Sequence, residues 1–592
     1  MAQPYRRHAQ LRRGRDVGIP VRTTILALAL CAALSARAEA APTFTVYPSP
    51  HAHFAAPRSQ ISFRGGTPAQ VGSVSVTGSR SGRHTGRLLA HSDGLGASFV
   101  PAKPFTPGER VTVRTHDVIA GGRDGAYGFT VGVPGPEPQP TFFHVQQGKL
   151  QSFASRPDLK PPAVVIKTRR PGLAPGLIFA APKGGSADAG PMIFDDFGHL
   201  VWYHPVPGPD IAMDFRAQTY RGQPVLTWWQ GHVYFGDGTG HGEIWDASYR
   251  PVAKVNAADG LSFDLHEFTV TPRDTALITV YQRDRMDLRP YGGPKDGVVV
   301  DGIVQEIDIR TGLLLFEWHS LDHVRLSDSY VPAKGAPQWD YFHINGLDED
   351  RDGNLIISAR NTWAIYKVSR ASGNTIWRLG GKRSTFKLGP GVETAWQHNP
   401  RVEANGTLTI FDNANGGVGK PFRPASRALT VRLDTVHKTA SLVSAFASPE
   451  KLSASSQGDV QRLSNGDDFV GFGAFPNFTE YSPTGQVLLD GRLSVDNASY
   501  RTFRFPWSGR PAEAPRAVAA RAGSSVKVSA SWNGATGVAA WQLLAGPAVV
   551  GSAPATGFET SITAPVSGAS VTMRALDAFG NVLATSAAVK VP

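Results

Sequence analysis

The 592-residue chain has one cysteine, Cys31, which excludes an intrachain disulfide framework and any multi-cysteine metal cluster. Long apolar runs are also missing. The one apolar run near the N-terminus is too short for a permanent membrane span, and no later run reaches that length. Long helical periodicities are hard to find, no serine stands in a nucleophile elbow, and there is no C-x-x-C. Basic residues exceed acidic ones, 60 Lys and Arg against 48 Asp and Glu. They are scattered, however, with no Lys/Arg stripe carrying interleaved aromatics, so nucleic acid is not an expected partner.

Part of that charge sits in the first 41 residues. Six arginines between Arg6 and Arg22 precede TTILALALCAALSA and then the small residues of ARAEAAP. This is the pattern of a secretory signal peptide over 1–41, and it predicts a secreted or cell-envelope protein. Leu30 before Cys31 is a poor fit to a lipoprotein cleavage box, so no lipid anchor is expected. The segment holds seven Arg against two acids, which leaves +7 of the formal +12 for the mature chain. That mild excess is compatible with anionic small molecules. Without disulfides, stability has to come from core burial, which a chain of this length supplies.

Glycine and proline are plentiful, 64 and 45. Short alternating runs such as SVSVTG, RVTVRTH and YGFTVGV lie between turn residues, the signature of an all-β chain. Residues 42–134 are predicted to form a small β-sandwich, 135–154 a Pro-rich linker around VPGPEPQP, and 508–592 a second small sandwich, both sandwiches Ig-like. The region 155–507 repeats. One unit is a turn plus an apolar strand: DTALITVYQ (274–282), DGNLIISARN (352–361), NGTLTIFDN (405–413), NGDDFVGFG (465–473). A second unit ends in a turn glycine and an apolar strand, as in DFGHLVWYH (196–204) and ASGNTIWRLG (371–380). Their alternation predicts a six-bladed β-propeller.

Aligned on the first unit, His266 stands eleven residues before Leu277, His343 twelve before Leu355, His398 ten before Leu408 and Gln457 eleven before Asp468. Equivalent positions of successive blades converge on the central channel, so three histidines and a glutamine are expected to face one funnel. Apolar residues would be expected at a repeated core position, since an unpaired buried polar group costs about 1–3 kcal/mol. Strand ends add Arg360, Asn361, Asp412, Asn413 and the run Tyr281, Gln282, Arg283. Asn345 is two residues beyond His343 and is expected on the same strand face. Neutral imidazole beside Arg and amide donors suits transfer of an anionic group, phosphoryl or sulfuryl, while a three-histidine metal site uses the same residues.

The blocks DLHEF, YFHINGLDEDRDGNLIISARNTWAIYKV, IWRLGGKRSTFKLG and AWQHNPRVEANGTLTIFDN resemble the bacterial arylsulfotransferase family that does not use the soluble nucleotide sulfate donor. The similarity runs from about 155 to 507. It implies a six-bladed propeller that moves a sulfuryl group from an aryl sulfate ester to a phenolic acceptor, by a ping-pong reaction through a sulfohistidine and without metal or cofactor. His398 matches the family's nucleophile; His343, Asn345 and Arg360 match its supporting groups, and His266 a further channel histidine. Trp396, Gln457 and Asn413 are expected to contact substrate. The better-studied periplasmic members have a disulfide, which this mature chain lacks.

Two rival functions remain open at this point. One is a non-catalytic propeller that binds ligands or partners at the envelope. The other is a metal-dependent or acid–base enzyme on extracellular glycans or lactones, using the same histidines with Asp264, Glu267 or Asp412. Trp228 and Trp229 read as blade-packing residues. DEDRDGN (348–354) starts like a calcium loop, but its twelfth position is Ala359, and an acidic hairpin turn is the better expectation.

Overall fold

The computed structural model describes residues 43–139, 148–183, 189–234, 236–494 and 497–592. The expected signal peptide lies outside them, as do residues 140–147 of the expected linker. The described chain is all-β, with antiparallel pairing throughout most of its sheets.

At the N-terminal end, a five-stranded and a four-stranded sheet enclose Phe44, Phe63, Val76, Val111 and Phe129. Strand Arg110–Arg114 shows why: in RVTVR, Val111 and Val113 are buried while both arginines are exposed. At the C-terminal end, a three-stranded and a five-stranded sheet enclose Val528, Trp541, Leu543 and Met573. The start of the linker is held in place, because the Gly135 N–H donates to the Arg283 carbonyl at 2.8 Å.

The middle region builds six groups of strands, four strands in each of the first four and five in the fifth and sixth, which gain Lys387–Leu388 and Val164–Arg169. The second runs through Ile211–Tyr220, Gln223–Tyr234, Asp237–Trp245 and Pro251–Val255. The third runs through Phe263–Val270, Thr275–Met286, Gly297–Asp308 and Leu314–His319, joined to the second by one bridge, Gly240 to Phe263. The fourth starts at Ile344–Glu349, the fifth at His398–Val402 and the sixth at Asp459–Arg462. The first group is made from both ends of the region: Leu177–Lys183, Met192–Phe194 and Leu200–Tyr203 are completed by Ala498–Phe505.

The initial strands of groups two to six, with Ala498–Phe505, form a closed ring in which each touches the next. Strands one place further out are the apolar runs of the sequence repeat. Thr275–Met286 is buried along ten consecutive residues, as expected for a strand covered on both faces. The turns before Leu355 and Thr407 use Gly353 (φ 77°) and Gly406 (φ 79°), left-handed positions that favour glycine. Trp228 and Trp229 are fully buried between groups, so they pack sheets and do not reach a mouth. Among the described residues no helix is long and apolar enough to cross a membrane.

Candidate active site

The innermost ring strands are polar where the outer strands are apolar. Their N-terminal ends surround a cavity of about 570 Å³ lined by His266, His343, His398, Arg360, Trp396 and Gln457, with Lys183, Asp340 and Tyr500 beside them. Three of these residues have left-handed backbones without being glycine: His343 (φ 54°), Trp396 (φ 60°) and Gln457 (φ 65°). Such conformations cost on the order of 1–3 kcal/mol each and persist only where the surroundings enforce them. They turn the chain at the entry to three successive inner strands and aim side chains into the cavity.

His398 begins its strand and is 1% exposed. Its Nδ1 lies 2.7 Å from Asn413 Oδ1 and 3.0 Å from the Trp396 carbonyl, both acceptors, so the proton sits on Nδ1. Nε2 is therefore the lone-pair nitrogen, and it accepts the Gln457 backbone N–H at 3.0 Å. Burial holds the imidazole pKa well below its ordinary value, and the Arg360 charge pushes the same way. His398 is thus neutral, with a fixed tautomer and its nucleophilic atom directed at a backbone donor.

His343 and His266 form two facing histidine–aspartate pairs. Nδ1 of His266 meets Asp264 Oδ2 at 2.7 Å, and Thr279 also donates to that oxygen. Nδ1 of His343 meets Asp340 Oδ2. The two imidazole rings lie 5.0 Å apart, near perpendicular, with Tyr281 within 5.7 Å of both. Burial lowers the His343 pKa, opposed by the Asp340 charge. Carboxylates on Nδ1 orient both rings, and this arrangement suits proton transfer at Nε2.

Arg360 completes the wall. Its guanidinium donates to the Gly416 and Ser455 carbonyls at 3.1 and 3.0 Å and lies 4.7 Å from the Trp396 ring centre. These partners hold the fork without cancelling its charge, so it is available to an anion.

Two expected site residues sit behind the wall. Asn345 is fully buried and donates to the Gln397 carbonyl at 2.8 Å, because His343 stands in the turn before the strand and the two residues do not share a face. Asn413 donates to the Ala454 and Gln457 carbonyls at 3.2 and 2.9 Å while accepting from His398. Asn413 therefore orients the imidazole and carries the Gln457 loop. In the acidic turn 348–354, Lys367 Nζ lies 2.5 Å from Asp350 and 2.6 Å from Asp352, occupying the position a cation would take.

Sequence reasoning did not single out Asp340, Tyr500 or Lys183. Asp340 precedes its histidine by three residues in a turn, a spacing with no periodic signature. Tyr500 and Lys183 come from opposite ends of the repeat region and meet only where the ring closes. Below the histidines the ring is filled by charge. Glu267 contacts Arg216, Arg401 and Arg501, and Asp214 contacts Arg216 and Arg501. Burial disfavours the Glu267 charge, but Arg401, Arg501 and Arg216 outweigh it and hold its pKa well below the usual range.

Residues 216–494 match the family model described as Arylsulfotransferase (ASST). No curated protein matches the chain. Solved structures similar to it include a protein of unknown function from Bacteroides caccae, 11% identical, covering 55% of this chain and 98% of that one, with a TM-score of 0.34. Another is a catalytically inactive virginiamycin B lyase from Staphylococcus aureus with quinupristin, 9% identical, covering 61% and 96%, TM-score 0.24. A third is an auxiliary nutrient binding protein from Bacteroides thetaiotaomicron, 11% identical, covering 78% and 91%, TM-score 0.27.

Proposed function

From the premise that residues 216–494 belong to the arylsulfotransferase family, we propose that the chain moves a sulfuryl group from an aryl sulfate ester to a phenol through a sulfated His398. The fold we read from the six antiparallel groups is a six-bladed propeller, flanked by two Ig-like sandwiches. We take the protein to be exported. The observation that carries the chemical reading is the state of His398: neutral, proton on Nδ1, Nε2 on the cavity side beside the uncancelled Arg360 charge.

In the first half-reaction the Nε2 lone pair attacks sulfur, an N–S bond forms, and the aryl S–O bond breaks. The electron pair leaves on the phenolate oxygen. Arg360 holds the sulfuryl oxygens, where negative charge resides throughout transfer. The Gln457 N–H, released from Nε2 as that atom bonds sulfur, lies beside those oxygens and becomes a second donor. One such preorganised donor is worth roughly 10²–10³ in rate.

In the second half-reaction an acceptor phenol loses its proton to His343 Nε2, its oxygen attacks sulfur, and the N–S electron pair returns to His398. Asp340 stabilises the imidazolium formed, which gives its proton to the next departing phenolate. His266, held by Asp264, lies against His343 and shares that site. Trp396 offers its ring to the aryl group.

The test is intact-protein mass after mixing with p-nitrophenyl sulfate and no acceptor. A gain of one sulfuryl group, about 80 Da, that is absent in His398→Ala supports the covalent route. No adduct and no nitrophenol release would sink it.

A further inference from the structure

We propose that Lys183 is an anion-binding residue of this cavity: its ammonium, fixed on the Gln457 loop, supplies a second positive charge, beside that of Arg360, to the group held over His398. The transfer reading above provides only the identity of that group, a sulfuryl ester. Lys183 ends strand Leu177–Lys183, six of whose seven residues are buried, and is itself 5% exposed. Its Nζ donates to Gln457 Oε1 at 2.8 Å, and the backbone N–H of the same Gln457 caps His398 Nε2. Lys183 therefore lies one residue from the nucleophile through Gln457, on the wall completed by the ring-closing strand that carries Tyr500.

An alkyl side chain would fill this place without taking an ammonium out of water, which is costly. Burial pushes the Lys183 pKa down to about 7, and a bound anion would favour its charged form. Among the described residues, the other charged or titratable groups facing the cavity are Arg360, His266, His343, His398, Asp340 and Tyr500. Of these only Arg360 is a permanent cation. Lys183 then makes the grip on an anion strongest below neutral pH and weaker as pH rises through about 7.

Calorimetry with inorganic sulfate on the full chain, at pH 6 and pH 9, tests this without requiring turnover. The wild type should bind sulfate at pH 6 and weaken about 10- to 100-fold by pH 9, the range expected for one charge-assisted contact. Lys183→Met and Lys183→Gln should bind about 10- to 100-fold more weakly at pH 6 and lose that part of the pH step. Lys183→Arg should restore binding and carry it to pH 9, which a purely packing role would not do. Wild-type affinity and pH step in both neutral variants, or no sulfate binding by the wild type at pH 6, would overturn the proposal. Lys183-dependent sulfate binding without a His398 adduct would instead remove the transfer reading and leave this one standing.

Discussion

The backbone N–H of Gln457 donates to Nε2 of His398 at 3.0 Å, so a main-chain amide occupies the lone pair that attack on sulfur requires. The contact reports the tautomer directly, since only an unprotonated Nε2 accepts. It also stations a donor where charge is carried once that nitrogen is sulfated.

Asn413 fixes that tautomer from the other side of the ring. Replacing it with Leu leaves the Trp396 carbonyl as the one acceptor for Nδ1–H among the described residues. Adduct formation on His398 should slow roughly 3- to 10-fold, the worth of one neutral hydrogen bond. Rapid-quench mass spectrometry reads this rate, and an unchanged rate would mean that the Trp396 carbonyl alone is sufficient.

The acid limb of the reaction should not come from His398. Its pKa is held well below 6.5 by burial and by Arg360, so the neutral nucleophile persists as pH falls below 6.5. The single-turnover rate of adduct formation, measured from pH 7 to pH 5 with p-nitrophenyl sulfate, should stay nearly flat. A tenfold loss per unit beginning near pH 6.5 would show an ordinary imidazole.

His343 should matter in proportion to the basicity of the leaving group. With p-nitrophenyl sulfate, whose phenolate leaves without help, His343→Ala should change the first half-reaction little. With an ester of an unactivated phenol the loss should reach roughly 10²–10⁴. Asp340→Asn should follow the same trend more weakly. Equal losses on both donors would assign His343 to sulfuryl binding.

Beneath the site, Glu267 is matched by three arginines and is fully buried. Its folded pKa is depressed, so its contribution to stability is complete above the unfolded carboxylate range and is lost as pH falls through the folded value. Glu267→Gln should cost about 3–5 kcal/mol at neutral pH, measured by denaturant unfolding.

Asp459 behaves oppositely. Burial raises its pKa to about 8; one carboxylate oxygen accepts the Thr502 N–H at 2.9 Å and the other has no hydrogen-bond partner among the described residues. A raised acid favours the fold at low pH, and that contribution declines as pH climbs from about 4 through 8. Asp459→Asn should therefore be near neutral at pH 4 and stabilising by on the order of 1–3 kcal/mol at pH 8.5. Melting curves at the two pH values check it.

The sequence repeat made the outer strands legible, because Leu277, Leu355 and Leu408 lie in apolar runs buried on both faces. It also brought His266, His343, His398 and Gln457 to one cavity. Asn345 lies behind the wall because strand alternation does not extend back through His343, whose left-handed backbone breaks it. Lys183 and Asp340 lie outside the repeat alignment: one reaches the cavity by ring closure, the other through an irregular turn. Such partners are set by tertiary geometry, and a periodic pattern has no means of encoding them.

The strand Ala498–Phe505 is the last of the ring to be synthesised, yet it completes the first group and brings Tyr500 against the His266 ring. Five-sixths of the ring can exist before this strand leaves the ribosome, but it cannot close. A chain stopped before residue 498 would leave Leu177–Lys183 as an open sheet edge and the cavity without one wall. Function in this architecture is thus tied to completion of the polypeptide, with the final ring strand acting as a checkpoint between synthesis and activity.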